Sequence, residues 1–118
     1  MTGRKAVAFL GAVLLGSVLV SHVPGHRAEA ATSPEPTAYV TNLGSNDVTP
    51  IAVATNTPGA PIPVGDGPYG VAITPDGATA YIADHLDDTV TPIAVASNTA
   101  GTPVPVGNGP FVIAITPG

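Results

Sequence analysis

The chain has 118 residues, enough for one small domain. Three basic against eight acidic residues give a formal charge of −5, and there is no cysteine, which excludes a disulfide framework, a thiolate metal site and a cysteine nucleophile. All three basic residues lie early, at Arg4, Lys5 and Arg27, so nothing beyond them can neutralise phosphates, and neither nucleic acid nor an anionic lipid surface is an expected partner.

Residues 1–30 have the pattern of a secretory signal. Arg4-Lys5 forms a positive start, Ala6 to Val20 is apolar with small interruptions, and Ala28-Glu29-Ala30 offers the small residues a signal peptidase requires, with Ala31 next. The alternative is an uncleaved anchor, although a bilayer-spanning helix needs about 20 apolar residues. Either way the remainder is expected outside the cytoplasm, secreted or at the cell surface, without further membrane association. The chain from Ala31 carries Glu35, Asp47, Asp66, Asp76, Asp84, Asp87 and Asp88 and no Lys or Arg. Such acidity serves solubility. Residues 31–37 contain Pro34 and Pro36 and are expected to be an extended linker.

From Ala38 the chain repeats. Ala38-Tyr39 returns as Ala80-Tyr81, Val48 to Ala54 as Val90 to Ala96, Pro63-Val64-Gly65 as Pro105-Val106-Gly107, and Ala72 to Pro75 as Ala114 to Pro117. Aligned without a gap at an offset of 42, residues 38–76 and 80–118 are identical at 22 of 39 positions. A period in the low forties built of short β-type segments is that of a propeller blade. Within the first repeat a strand is expected at Tyr39 to Thr41. An alternating one follows at Val48 to Ala54, with Val48 and Pro50 on one face and Thr49 and Ile51 on the other. Pro50 must sit where no ladder bond is needed. A turn is expected at 55–59, then a short outer strand at Ile62 to Val64, where flanking prolines discourage edge pairing. Gly70 to Thr74 is apolar throughout, as in a strand buried on both faces, and Pro75-Asp76-Gly77 closes it with a turn.

The string Tyr39-Val40-Thr41-Asn42 is followed by Val48-Thr49-Pro50-Ile51, Val64-Gly65-x-Gly67-Pro68 and Ile73-Thr74-Pro75-Asp76-Gly77. It resembles the YVTN β-propeller repeat family, which includes bacterial and archaeal surface proteins and is similar to lactonase-type propellers. The resemblance covers 38–118. It implies an all-β fold of four-stranded antiparallel blades around a channel, with the strand ending in Thr-Pro-Asp-Gly innermost and the Pro-Val-Gly strand outermost. With strands lettered a to d outward, the chain then reads b-c-d, a-b-c-d and a lone a at Val112–Thr116. That is about two blade equivalents, an incomplete ring as a monomer. Since rings hold about four to eight blades, either copies pair head to tail, three giving six blades and four giving eight, or the chain lacks the other blades of a longer propeller.

Propeller function gathers on loops at one face, here the segments around Asp66 and Tyr69, around Asn108, and around His85. Asp84-His85-Leu86-Asp87-Asp88 departs most from its counterpart, and Asp84, Asp87 and Asp88 are candidate ligands for a hard cation, although their spacing matches no calcium loop. The plainer reading is a solvated acidic loop. His85 is the only histidine beyond residue 30, and no serine lies in a nucleophile elbow, so no hydrolytic triad is expected. The lactonase-type activity cannot be carried over to any position, since the repeats at 38–118 contain no Arg or Lys to line a channel mouth. Tyr39 and Tyr81 are expected between blades rather than as sugar-stacking aromatics, and Tyr69 and Phe111 likewise. The function expected is a non-enzymatic structural or binding module for a surface protein or glycan, with no cofactor. Alternatives are a fragment of an enzyme-like propeller and a cation-binding surface domain.

Overall fold

A computed structural model of the chain describes residues 35–118. The expected signal at 1–30 and residues 31–34 of the linker lie outside the described residues. Nine antiparallel strands follow, and among the described residues there is no helix. They are β1 (Thr37–Asn42), β2 (Asp47–Ala52), β3 (Thr57–Pro58), β4 (Ile62–Pro63), β5 (Pro68–Ile73), β6 (Thr79–Asp84), β7 (Thr89–Ala94), β8 (Thr99–Ala100) and β9 (Val104–Pro105).

The first sheet runs β1-β2-β3, with β4 also on β2; the second runs β5-β6-β7-β8, with β9 also on β7. The order matches blade strands b-c-d followed by a-b-c-d. The registers of strands b, c and d repeat at the 42-residue offset: Tyr39 faces Pro50 as Tyr81 faces Pro92, and Val48 faces Ile62 as Val90 faces Val104.

The outer strand differs from its expected form. It is two short pieces per blade, because Thr57–Pro58 and Ile62–Pro63 each pair with β2 while the residues between them leave the ladder. The expected turn at 55–59 is therefore shorter, and Thr57–Pro58 belongs to the sheet. Pro50 lies at this break: lacking an N–H, it still accepts from Gly59 through its carbonyl at 2.7 Å, and Pro92 accepts from Gly101 in the same way.

Two expectations about strand a are corrected. Residues 112–116 join no ladder. They run instead past Gly70, where a Cβ would collide with the Phe111 carbonyl oxygen. Nor is β5 buried on both faces: Tyr69, Val71 and Ile73 are each about two-fifths exposed, at 42%, 38% and 42%. An inner propeller strand is covered only by a full ring of inner strands, and two blades do not supply one.

The core lies between the two sheets. Tyr39, Val48 and Ile62 of the first blade pack with Ala80, Ile82 and Ile93 of the second, and Val64, Val95 and Ala100 close the edges. The blades meet by opposite faces. In β2 the buried residues are Val48 and Pro50, whereas in β7 they are Thr91 and Ile93, the counterparts of Thr49 and Ile51. Like consecutive propeller blades, the front of one rests on the back of the next. Tyr39 sits in this seam as expected, with its hydroxyl donating to Asn98 Oδ1 across it.

Candidate functional site

One end of the two-blade body is built from the b–c loops, 43–46 and 85–88, and the d–a connections, 64–67 and 106–109. Each b–c loop turns through a residue with positive φ, Asn46 at 58° and Asp88 at 56°. Asn and Asp tolerate this region better than most side chains. The same two residues fasten the loop to the connection of their own blade: Gly67 N–H donates to Asn46 Oδ1 at 2.9 Å, and Gly109 N–H to Asp88 Oδ1 at 2.8 Å. Asp88 therefore acts as a loop tie.

The first connection is held from both sides. His85 N–H donates to Gly67 O and Leu86 N–H to Asp66 O, and the Asp66 N–H donates to Asp87 Oδ2 at 2.9 Å. Gly65 lies so close to the second loop that a Cβ there would stand 2.8 Å from Asp84 Cγ and 2.8 Å from Asp87 Oδ2. Only glycine allows this approach.

Asp84 is fully buried at the start of the loop. Its Oδ2 accepts from Thr91 Oγ1 at 2.6 Å and Thr89 Oγ1 at 3.0 Å, while Oδ1 has no partner. The first blade reverses the polarity. There Asn42 Nδ2 donates to Asp47 Oδ1 and Thr49 Oγ1, each at 2.8 Å. Where the inner residue changes from amide to carboxylate, its partner changes from carboxylate to hydroxyl, so donors still meet acceptors. The three candidate cation ligands are thus engaged separately, Asp84 with threonines, Asp87 with the Asp66 amide and Asp88 with the Gly109 amide. Among the described residues no group of three His, Asp or Glu side chains converges on a metal position.

What the structure does gather is aromatic. The Tyr69 and Phe111 rings lie 4.4 Å apart, and the His85 ring stands 4.5 Å from Phe111 and 5.4 Å from Tyr69. His85 Nδ1 lies 3.3 Å from Pro110 O, which aligns the ring against the second d–a connection. Tyr69 and Phe111 thus pack on each other across the two a segments, as the sequence suggests, but at 42% and 50% exposure they leave one side of the contact open. Asp66 and Asn108, also expected on this face, are exposed. Phe111 joins the cluster through the 42-residue repeat that equates it with Tyr69. The repeat shows that equivalence but not that His85, a leucine in the first repeat, packs against both rings.

Elsewhere, an open cleft of about 370 Å³ separates the outer edges of the blades, lined by Ile62, Asn98 and Ala100 among others. It holds no ionisable side chain.

These sheets and loops are those of a partial β-propeller. Two solved structures share the arrangement, and both are propeller-type proteins. The first is hydrazine synthase of Kuenenia stuttgartiensis, similar with a TM-score of 0.67 and 27% identity over 69% of this chain and 23% of that one. The second is apo AztD from Citrobacter koseri, with a TM-score of 0.53 and 20% identity over 64% of this chain and 23% of that one. The chain thus spans about a quarter of the length of either. No protein-family model matches it, and no curated protein does.

Proposed function

We propose that the chain is an exported, non-enzymatic propeller repeat protein of the YVTN type, serving as a structural or binding module at the cell surface or outside it. The repeat motifs from Tyr39 onward support the family, and the pattern of residues 1–30 supports export. The observation that carries the binding role is the exposed Tyr69–His85–Phe111 cluster beside Asp66 and Asn108. Clustered aromatic faces with polar acceptors nearby suit neutral sugars and uncharged peptide segments, and no Lys or Arg lies beyond Arg27 to recruit anions. The loop polar groups favour this over catalysis, since Asp84, Asp87, Asp88 and Asn46 each hold structure together.

The test is a titration of the chain with neutral oligosaccharides, read by tyrosine fluorescence, which no tryptophan obscures. Binding lost in both Tyr69→Ala and Phe111→Ala and kept in Tyr81→Ala is expected. Binding indifferent to Tyr69 and Phe111 would remove the reading. A fragment of an enzyme-like propeller is the second reading, favoured by the resemblance to hydrazine synthase. Lactone hydrolysis by the chain that disappears in His85→Ala would replace the first with the second. A cation-binding role for Asp84, Asp87 and Asp88 would require the melting temperature to rise with calcium.

A further inference from the structure

We propose that copies of this chain assemble head to tail, the second blade of one receiving the first blade of the next through the same contact that already joins the two blades within a copy. This does not rest on the binding role. It follows from which equivalent residues are covered.

The existing seam uses the front of blade one (Tyr39, Val48, Ile62, Val64) and the back of blade two (Ala80, Ile82, Ile93, Val95). The complementary faces carry almost the same residues and lie open. On the back of blade one, Val40 and Val53 are 43% and 48% exposed, where their counterparts Ile82 and Val95 belong to the core. On the front of blade two, Val104 and Val106 are 48% and 44% exposed, where Ile62 and Val64 belong to it. A nearly identical front and a nearly identical back, one free on each blade, make a heterologous contact, which closes into a ring when its rotation allows.

The strand edges show the same complementarity. Among the described residues, β1 pairs on one side only, whereas its counterpart β6 has β5 on the other. The segment 112–116 is the counterpart of β5 and joins no ladder. The β5–β6 register, with Val71 opposite Ile82 and Ile73 opposite Ala80, sets Ile113 of one copy opposite Val40 of the next and Ile115 opposite Ala38. Even the close approach at Gly65 has its open equivalent: a Cβ on Gly107 meets nothing within 4 Å. In the assembly that space receives the b–c loop of the next copy, as Gly65 receives 84–87. Tyr81 then donates to Asn56 of the next copy, as Tyr39 does to Asn98. A ring built from the two described blades of each copy holds four, six or eight.

The full chain is measured by light scattering with circular dichroism on the same sample. The expected result is a folded species of two, three or four chain masses. Val104→Asp places a carboxylate on the open face of blade two, at a position half-exposed in the single chain, and is expected to give a folded species of one chain mass. Because the chain has no cysteine, V40C/I113C reports the register directly. Opposed residues of an antiparallel pair lie within disulfide reach, so a non-reducing ladder of linked chains is expected, and V40C/I115C, displaced by two residues, is expected to give none. A folded wild-type monomer overturns the proposal. So does an unfolded chain, and so does an oligomer that ignores Val104→Asp or crosslinks equally in both registers.

Discussion

At position 84 a carboxylate stands where the first repeat has an amide, and its neighbours have changed with it. Asp84 Oδ2 takes the Thr89 and Thr91 hydroxyls, and Thr91 is itself 2% exposed. Removing the acceptor strands a buried hydroxyl, which costs about 1–3 kcal/mol. Asp84→Ala is therefore expected to lower stability by about 2 kcal/mol in urea unfolding. Asp84→Asn should cost less than half of that, because Asn42 already shows the amide working beside Thr49. Equal losses in the two variants would mean that the hydroxyl bonds do not matter. Asp76 acts through its turn instead. Its Oδ1 accepts from Thr74 Oγ1 at 2.6 Å and from Ala78 N–H at 3.0 Å, and these bonds, the Thr74 one foremost, hold its carboxyl below the ordinary 3.8. A lowered folded value means that the stabilisation is fully present above the unfolded value of 3.8 and is lost as pH falls through the folded one. An NMR titration should place the Asp76 midpoint below 3.8, and Asp76→Asn should flatten the acid limb of the stability curve. A midpoint at or above 3.8 would show that the turn is not formed in solution.

Strands at equivalent places in the repeat have different surroundings, and their amides should report it. Strand β6 is paired along both edges, by β5 and β7, while among the described residues β1 is paired only by β2. Protection from hydrogen exchange tracks such closure. In the single-chain state of Val104→Asp, β6 is expected to exchange slowest and residues 112–116 fastest. If β1 exchanges as slowly as β6 there, something in the chain already covers its outer edge. This asymmetry marks the limit of what was legible in the sequence. The 42-residue offset, the alternation from Val48, which the sheet carries to Ala52 and not to the expected Ala54, and the proline-flanked outer edge are local patterns, and all appear as sheet registers. The split outer strand was not legible, because Thr57–Pro58 pairs with Ile51 and Ala52 of the neighbouring strand just where the Pro50 carbonyl takes the Gly59 amide, and sequence alone does not set that register. Nor was the openness of β5: seven apolar or glycine residues in a row look alike whether or not a ring closes over them. In the candidate site the loops were legible as the variable part of the repeat. The pairing of Asn42 with Asp47 and of Asp84 with Thr89 was also present in the repeat comparison, as two coupled changes five residues apart. The Tyr69–His85–Phe111 cluster was not, since it joins residues from three segments through tertiary packing.

Two sheets that share a single seam should unfold as one body. Neither blade owns a core: Ile93 of the second is buried against Val48 and Ile62 of the first, and each is 5% exposed or less. A body of this size is stable by about 0.05–0.15 kcal/mol per residue, which for residues 35–118 amounts to roughly 4–13 kcal/mol. Truncating one buried isoleucine to alanine costs about 2–5 kcal/mol, a large part of that total. Ile93→Ala is therefore expected to lower the urea midpoint of both blades together. The ring resonances of Tyr39 and Tyr81, one in each sheet, should follow a single shared transition. Val48→Ala, acting from the opposite wall of the seam, should move the same transition by about 2 kcal/mol. If Ile93→Ala shifts the Tyr81 signal and leaves the Tyr39 signal native, the sheets are separately stable. The burial of Tyr39 and Val48 against the second blade would then contribute little to folding. If the two signals move together, the inter-blade seam is the cooperative unit, and a blade acquires its stability only from the neighbour stacked against it.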